Sequence, residues 1–143
     1  MIPKYRAWLK NDKKMINVDE IHFYNGKLDF IGDAITFMRT VDEIELMQST
    51  DLFDRNGKEI FEGDVLEIQG IKMIVRFGSY NYIETSKSGN HTLGIMCDGL
   101  GFYVECLNVA APDKISPFEP ETLKAGEIVG NIHENQEILE VGD

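Results

Sequence analysis

The chain has 143 residues, which is enough for one domain of ordinary size and leaves little room for a second independent core. Its 25 acidic and 14 basic residues give a net charge of −11, and such a surface repels both nucleic-acid backbones and anionic membranes. The chain has only two cysteines, and its first residues lack the apolar stretch of a signal peptide, so we expect a cytoplasmic protein without a disulfide framework.

The first predicted strand is basic on one face. Period-2 alternation from Lys4 to Leu9 places Lys4, Arg6 and Trp8 together. Basic residues beside an aromatic ring are compatible with clamping a nucleic-acid strand, but at this net charge we favour packing of the Lys and Arg stems over Trp8. Residues 15–143 carry a net charge of −15, so the basic strand is expected to cap an acidic sheet edge, in its own chain or in a second copy.

The next segments predict hairpins and little helix. Asn25-Gly26 between two apolar runs indicates a two-residue type I′ turn, since both residues tolerate positive φ angles. The spacing of Ile44 and Met47 is compatible with one or two helical turns over residues 40–47. Both this stretch and the tail from Glu134 to Val141 are too short to form a stable helix without packing.

The densest polar motif runs from Asp54 to Asp64. Its carboxylates have two interpretations, a metal-binding or acid–base site, or a set of turns in which side chains bind nearby backbone amides. The turn interpretation needs no further partner, and we favour it. The structural turn motif then comprises Asp54, Asn56, Gly57, Glu62, Gly63 and Asp64.

The second half of the chain predicts five short antiparallel strands, at 64–69, 71–77, 93–97, 102–107 and 127–132. Asp98-Gly99-Leu100-Gly101 is interpreted as a turn between the third and fourth of them. Two segments, 78–92 and 108–122, lack periodicity and are rich in turn formers or proline, so we predict loop insertions there. Their aromatic side chains are candidates for contact with a partner: Tyr80, Tyr82 and Phe118.

A core can be predicted from the same alternation. Its members are Trp8, Phe23, Phe30, Leu66, Ile68, Met73, Val75, Phe77, Phe102, Val104, Ile128 and Ile132. The three histidines stand apart from one another, and Cys97 and Cys106 lack the spacing of a metal site. No phosphate-binding loop or hydrolase motif occurs, so we predict no catalytic residue, no cofactor and no metal.

Three stretches together resemble a known family. They are Lys4-Tyr5-Arg6-Ala7-Trp8 with Lys13-Lys14-Met15, then Leu46–Thr50 continuing through Asp54 to Asp64, and Val129–Asn135 near the end. Their order and spacing are similar to the YopX-like proteins of bacteriophages and prophages, a family without an established biochemical activity. Asp51 stands where that family tends to have glycine, although Asp tolerates a positive φ angle better than most residues.

The resemblance implies a fold and a setting. Combined with the elements predicted above, it gives a mostly β protein: a β-hairpin region at residues 1–50, then a barrel at 51–143 with loop insertions at 78–92 and 108–122 and a short C-terminal helical turn. The resemblance itself implies the small SH3-like β-barrel and the β-rich N-terminal region that precedes it. It also implies a phage or prophage gene acting in the cytoplasm of a bacterial host cell. The five predicted strands agree with a small barrel.

We predict a non-catalytic module that binds a host or phage protein through the two loops. An acidic mimic of nucleic acid, which inhibits a DNA-binding protein, is the alternative suggested by the charge. A weaker alternative is a hydrolase or nuclease that uses Asp54, Glu62 and Asp64. Because Tyr80, Tyr82 and Phe118 lack an obvious core face, we also expect a homo-oligomer.

Overall fold

The protein consists mainly of β-strands in a computed structural model that describes residues 4–109 and 114–140, the side chains of 86–88, 91, 92 and 140 excepted. The strands are β1 (Tyr5–Leu9), β2 (Lys14–Val18), β3 (Ile21–Tyr24), β4 (Lys27–Gly32), β5 (Met38–Thr40), β6 (Ile44–Phe53), β7 (Glu59–Phe61), β8 (Asp64–Ile68), β9 (Ile71–Ser88), β10 (His91–Cys106), β11 (Ile115–Pro117) and β12 (Glu127–Asn131). Helix α1 spans Pro120–Lys124, and 3-10 turns span Val41–Glu43 and Gln136–Glu140. The prediction of a mostly β fold is therefore confirmed.

The strands form three sheets, and every strand pair in them is antiparallel. Their orders are β2-β1-β6-β7, β3-β4-β5 and β11-β10-β9-β8-β12. The five-stranded sheet curls into a half-barrel. Strand β6 pairs with β1 along its first half and with β7 along its second half, so it joins the N-terminal strands to the half-barrel.

Two apolar clusters hold these sheets together. The first lies among the N-terminal strands and has Ala7, Leu9, Ile31 and Ile44 at its centre. The second fills the half-barrel and is formed by Ile60, Leu66, Met73, Val75, Val104, Cys106 and Leu123. Each buried aliphatic side chain in such a cluster contributes about 1.5–3 kcal/mol to stability.

The local turn signals correctly predicted several elements. Asn25 and Gly26 have φ angles of 52° and 77° and connect β3 to β4 as a hairpin. Asp51 has a φ of 62°, so it does adopt the conformation for which glycine is favoured. Strands β8 and β12 lie within one residue of their predicted ranges.

Four predicted elements differ from the structure. Residues 78–92 form no loop, and Asp98–Gly101 form no turn, because both belong to one continuous hairpin of β9 and β10. The helical turns predicted for 40–47 are limited to Val41–Glu43, because pairing with β1 extends residues 44–48 as the first half of β6. The loop predicted at 108–122 contains β11 and the start of α1, and its residues 110–113 lie outside the described residues.

Two predicted core residues are exposed. Phe23 is 67% exposed, because the register shift between His22 and Phe23 interrupts the alternation of faces along β3. Phe77 is 48% exposed, because it lies where β9 extends past the half-barrel. Of the other predicted core residues, Leu66, Met73, Val75 and Val104 are buried, and Trp8, Phe30, Ile68, Phe102, Ile128 and Ile132 are half-buried.

The basic N-terminal strand lies inside a sheet of its own chain. Strand β1 pairs with β2 on one side and β6 on the other, so it occupies no edge. At the other end of the described chain, the predicted helical tail forms the 3-10 turn Gln136–Glu140. Among the described residues, no helix is long and apolar enough to cross a membrane.

Candidate protein-binding arm and the carboxylate motif

A long two-stranded arm projects from the half-barrel. Strands β9 and β10 pair without a register shift from Met73 opposite Cys106 to Ser88 opposite His91. On β9, strand β8 pairs with residues 71–74 alone, and on β10, strand β11 pairs with residues 103–105 alone. In the described chain, residues 77–88 of β9 and 91–102 of β10 therefore pair only with each other. At about 3.4 Å per residue, the ten steps from Gly78 to Ser88 span roughly 34 Å.

Two opposed glycines mark the base of the arm, which we define as residues 78–101. Gly78 lies opposite Gly101, and their φ angles are 145° and 131°. Residues with a side chain rarely adopt this backbone conformation, so both strands need glycine at this point. The two glycines therefore allow both strands to adopt the backbone conformation with which the arm leaves the half-barrel.

One face of the arm carries a row of tyrosines. The ring of Tyr80 lies 4.6 Å from that of Tyr103 and 5.7 Å from that of Tyr82, measured between centroids. Tyr80 also covers Gly99 on the opposite strand, where a Cβ atom would lie 2.2 Å from its Cζ atom. Tyr80 and Tyr82 are half-buried as a result, so the two sequence candidates lie together on the arm and partly cover each other.

The most exposed apolar side chains of the arm belong to β10. Leu100 is 82% exposed and Met96 is 65% exposed, and Leu93 and Ile95 are more than half exposed. In the sequence these residues lie in a predicted short strand (93–97) and a predicted turn (98–101), so they are not among the predicted contact residues. The signal that could have found them is the apolar composition of residues 93–97 beside a segment without another predicted core face.

Phe118 does not share the surface of the two tyrosines. Its ring lies 5.5 Å from that of Phe102, and it packs against the core cluster of the half-barrel. Phe102 in turn meets Phe77 edge to face at 4.9 Å. These three rings extend the core toward the base of the arm, so Phe118 has a packing role.

Within the carboxylate motif, Asp54 ties a turn to a distant strand. Its Oδ1 atom accepts hydrogen bonds of 2.9 Å from the backbone N–H groups of Asn56 and Lys58. Its Oδ2 atom accepts one of 2.9 Å from the N–H of Ile128 in β12. Burial acts to raise the pKa of Asp54, but these three bonds lower it overall. Asn56 and Gly57 complete the turn, in which Gly57 has a φ of 83°.

Asp64 holds the N-terminal strand against the half-barrel. Its Oδ1 atom accepts a 2.7 Å hydrogen bond from Nη2 of Arg6, and its Oδ2 atom accepts one of 2.8 Å from the N–H of Phe61. The guanidinium of Arg6 lies over the Phe61 ring at 4.8 Å and also donates to the carbonyl of Glu62. Burial raises the pKa of Asp64, although Arg6 acts to lower it.

Glu62 lines a small cleft between the N-terminal sheet and the half-barrel. The cleft has a volume of about 170 Å³ and also contains Glu45, Arg76 and His133. Burial raises the pKa of Glu62 and lowers that of His133, whose ring stacks on Trp8 at 5.5 Å. Pockets that bind small molecules usually occupy about 300–1,000 Å³, so this cleft is small for a substrate.

Gly63 completes the motif as a close-packed turn. It has a φ of 87°, and a Cβ atom there would lie 3.1 Å from Sδ of Met47. The six motif residues thus act in turns, strand junctions and one buried ion pair. In the part of the chain that the structure describes, no group of three His, Cys, Asp or Glu residues is placed to hold a metal ion.

Comparisons with known proteins place the chain in a family. A family model described as YopX protein matches residues 4–140. No curated protein is significantly similar to the chain. Among solved structures, the chain is similar to the crystal structure of protein EF1440 from Enterococcus faecalis, with a TM-score of 0.56 and 26% sequence identity. That match covers 97% of this chain and 99% of the other.

Proposed function

The chain belongs to the YopX protein family, and we propose that it is a non-catalytic module that binds another protein molecule through the arm. The observation that carries this proposal is the exposure of apolar side chains along β10, among which Leu100 and Met96 are the most exposed. Contiguous exposed apolar residues on a soluble protein are typical of an interaction site.

The arm has the composition of an interface core. Residues 78–101 contain three charged residues, Glu84, Lys87 and Asp98, whereas charged residues make up 27% of the whole chain. Depletion of charge with enrichment of tyrosine characterises the centres of protein interfaces. Tyr80 and Tyr82 supply rigid contact area on the other face of the hairpin from Met96 and Leu100.

The carboxylate motif supports a binding role over catalysis. A general base must reach a substrate, but the oxygens of Asp54 and Asp64 are occupied by backbone N–H groups and by Arg6. Among the described residues, the Glu62 carboxylate has one hydrogen bond, of 3.4 Å from the N–H of Gln48, and it lies beside a cleft too small for most substrates. This arrangement supports the binding module over the hydrolase alternative.

The family resemblance supplies the finer part of the proposal. We infer that the gene belongs to a phage or prophage, that the protein acts in the cytoplasm of the bacterial host and that the half-barrel is of the SH3 type. A small barrel of this kind offers a rigid base from which an arm can reach a partner.

A photo-crosslinking amino acid tests the proposal. It replaces Met96 or Leu100 in the full chain, and Ile35 in the matched control, because Ile35 is 90% exposed outside the arm. The variants are expressed in the bacterium that carries the gene and are then irradiated. We expect discrete covalent protein adducts from the two arm positions and none from position 35.

The masses of the adducts identify the kind of partner. Addition of a second 16.3 kDa chain indicates self-association, and any other added mass indicates a different protein. Failure of both arm positions to form any protein adduct, or the same adducts from position 35, would contradict a binding role for the arm.

A further inference from the structure

We propose that the arm binds a second copy of this chain, through antiparallel pairing of β10 with β10 of the other copy. The proposal rests on the proposed function of the arm as a binding surface and names its partner. It follows from three features of the edge segment, which we define as residues 93–100 of β10: an open backbone, exposure on both faces and low charge.

The backbone of the edge segment is open on one side. Strand β10 pairs with β11 only at residues 103–105, so in the described structure residues 93–100 pair with β9 alone. Exposed edges are usually protected by proline, by several charges or by a bulge. The edge segment has no proline and one charged residue, Asp98, and its register with β9 is uninterrupted. It therefore lacks the usual features that keep another strand away.

The exposure of the side chains in the edge segment favours a wider sheet. Ile95 and Met96 are consecutive and therefore lie on opposite faces, yet they are 53% and 65% exposed. In antiparallel pairing each of these side chains gains a cross-strand neighbour from the other copy, so part of its apolar surface is removed from water on both faces. An isolated two-stranded ribbon is also marginally stable in water, so the arm gains from further strands beside it.

The charge distribution favours a second copy over an unrelated partner. Residues 78–101 carry a net charge of −1, so the rest of the chain carries −10. Two copies repel each other along most of their surfaces and least along the arms. A basic partner, in contrast, would be attracted to the acidic remainder of the chain and not to this nearly neutral element.

A twofold axis near Met96 gives a pairing without a charge conflict. Antiparallel alignment about that residue sets Cys97 opposite Ile95 of the other copy, and Asp98 opposite Gly94. The two Asp98 carboxylates then stand apart, and a four-stranded sheet of order β9-β10-β10-β9 results. Such a contact is isologous, since each copy presents the same patch. Pairing along one edge is small beside the roughly 800 Å² per partner of a standard interface, so we expect dissociation on dilution.

Sedimentation equilibrium of the purified full chain tests the association. We expect the mass to approach twice 16.3 kDa at high micromolar concentration and to fall on dilution. Met96→Lys should remain at 16.3 kDa throughout, because it places a charge at the axis in each copy. Ile35→Lys makes the same kind of change at an exposed site outside the arm and should behave as the wild type. A monomeric wild type, or a dimeric Met96→Lys variant, would overturn the proposal.

Cysteine crosslinking tests the geometry. In a Cys97→Ser background, single cysteines replace Ile95 or Met96, and Cys97 itself is tested in the wild type. Residues opposite each other about a twofold axis have Cα atoms about 4.5–5.5 Å apart, which is within disulfide range. We expect Met96→Cys, which lies opposite its own counterpart, to crosslink at least tenfold faster than an Ile35→Cys control in the same background under mild oxidation. Equal rates at all positions would overturn strand pairing.

The two proposals fail in different ways. If the purified chain is monomeric but the crosslinker at Met96 captures a different protein, the proposal of a second copy is wrong. The proposed binding role of the arm then stands. If the arm positions capture nothing in cells and the purified chain is monomeric, both proposals fall.

Discussion

Asp54 shows how one buried carboxylate connects parts of the chain that are 74 residues apart. It accepts backbone hydrogen bonds from Asn56 and Lys58 in its own turn and from Ile128 in β12. We expect Asp54→Ala to lower the free energy of unfolding by about 2–4 kcal/mol, because removal of the carboxylate leaves these N–H groups without their acceptor. Urea denaturation measures the difference.

Arg55→Ala is the matched control for that measurement. Arg55 is the next residue and forms an exposed ion pair with Glu127, whose removal should cost less than about 1 kcal/mol. The Asp54 contribution also has a defined pH dependence. Because the folded-state pKa lies below the ordinary value of 3.8, the contribution is present above that pH and is lost as the pH falls through the folded-state pKa. Equal losses from the two substitutions would contradict the role of Asp54.

His133 makes stability depend on pH near neutrality. Burial lowers its pKa below the ordinary 6.5, so between the two values the unfolded chain binds more protons than the folded protein. The wild type should therefore lose stability as the pH falls below about 6.5. His133→Phe keeps a ring against Trp8 and removes the titration, so its stability should fall less over the same interval.

Thermal unfolding of both proteins between about pH 8 and pH 5 makes this comparison. Glu62 acts in the opposite direction, since burial raises its pKa and its protonation favours the folded state, but both proteins contain it. The difference between the two pH profiles therefore isolates His133. Parallel profiles would show that His133 has an unperturbed pKa.

At the level of elements, the arm depends on the contact between Tyr80 and Gly99. A Cβ atom at position 99 would lie 2.2 Å from the Tyr80 ring, whereas one at position 94 of the same strand would lie 3.3 Å from Cγ2 of Ile83. Gly99→Ala should displace Tyr80 from its stack with Tyr103 and Tyr82, a contact worth about 0.5–1.5 kcal/mol per ring pair. Amide hydrogen exchange in the arm should then accelerate.

Gly94→Ala is the control on the same strand. Neither glycine has a positive φ angle, so the two substitutions differ mainly in what the added methyl group meets. Exchange in the half-barrel core should be unchanged in both variants, because the arm contributes no residue to that cluster. The same exchange rate in the arms of both variants would show that the tyrosine stack does not stabilise the arm.

The elements that the sequence predicts well are those whose signal is local. The Asn25-Gly26 hairpin needs only two residues that tolerate positive φ, and β8 shows the apolar residues that its core position demands. The arm could not be predicted as a hairpin, because its strands have no core to face and therefore lack a regular alternation of apolar residues. Its Ser, Gly, Asn and Thr residues resemble those of a loop, although Gly99 and Tyr80 fit each other across the strands.

The candidate site was also predictable only where its signal is local in the sequence. Asp54 and Asn56 could be assigned to a turn from their spacing, but the third hydrogen bond, from Ile128, depends on tertiary structure. The composition of their segment predicts Tyr80 and Tyr82 as contact residues. Met96 and Leu100 lie in a predicted short strand and a predicted turn, and neither element indicates their exposure. Exposure on both faces of a hairpin becomes visible only once its two strands are paired.

At the level of the whole molecule, the two apolar clusters lie apart from the proposed binding surface. One cluster lies among the N-terminal strands and the other inside the half-barrel, and neither contains a residue of the arm. Strand β6 connects the two regions, and the ion pair of Arg6 and Asp64 adds a second link. The arm can therefore change or bind a partner without disturbing either core.

Removal of the arm tests this separation. Gly78 and Gly101 lie opposite each other, so residues 79–100 can be replaced by Asn-Gly as a two-residue turn. We expect the shortened chain to unfold cooperatively, with a free energy of unfolding within about 1 kcal/mol of the wild-type monomer, since shortening a loop changes its closure entropy little. Leu66→Ala, at a fully buried core position, should in contrast cost about 2–5 kcal/mol. Urea denaturation at low micromolar concentration compares the three proteins, and a shortened chain as unstable as Leu66→Ala would mean that the arm is part of the folding core.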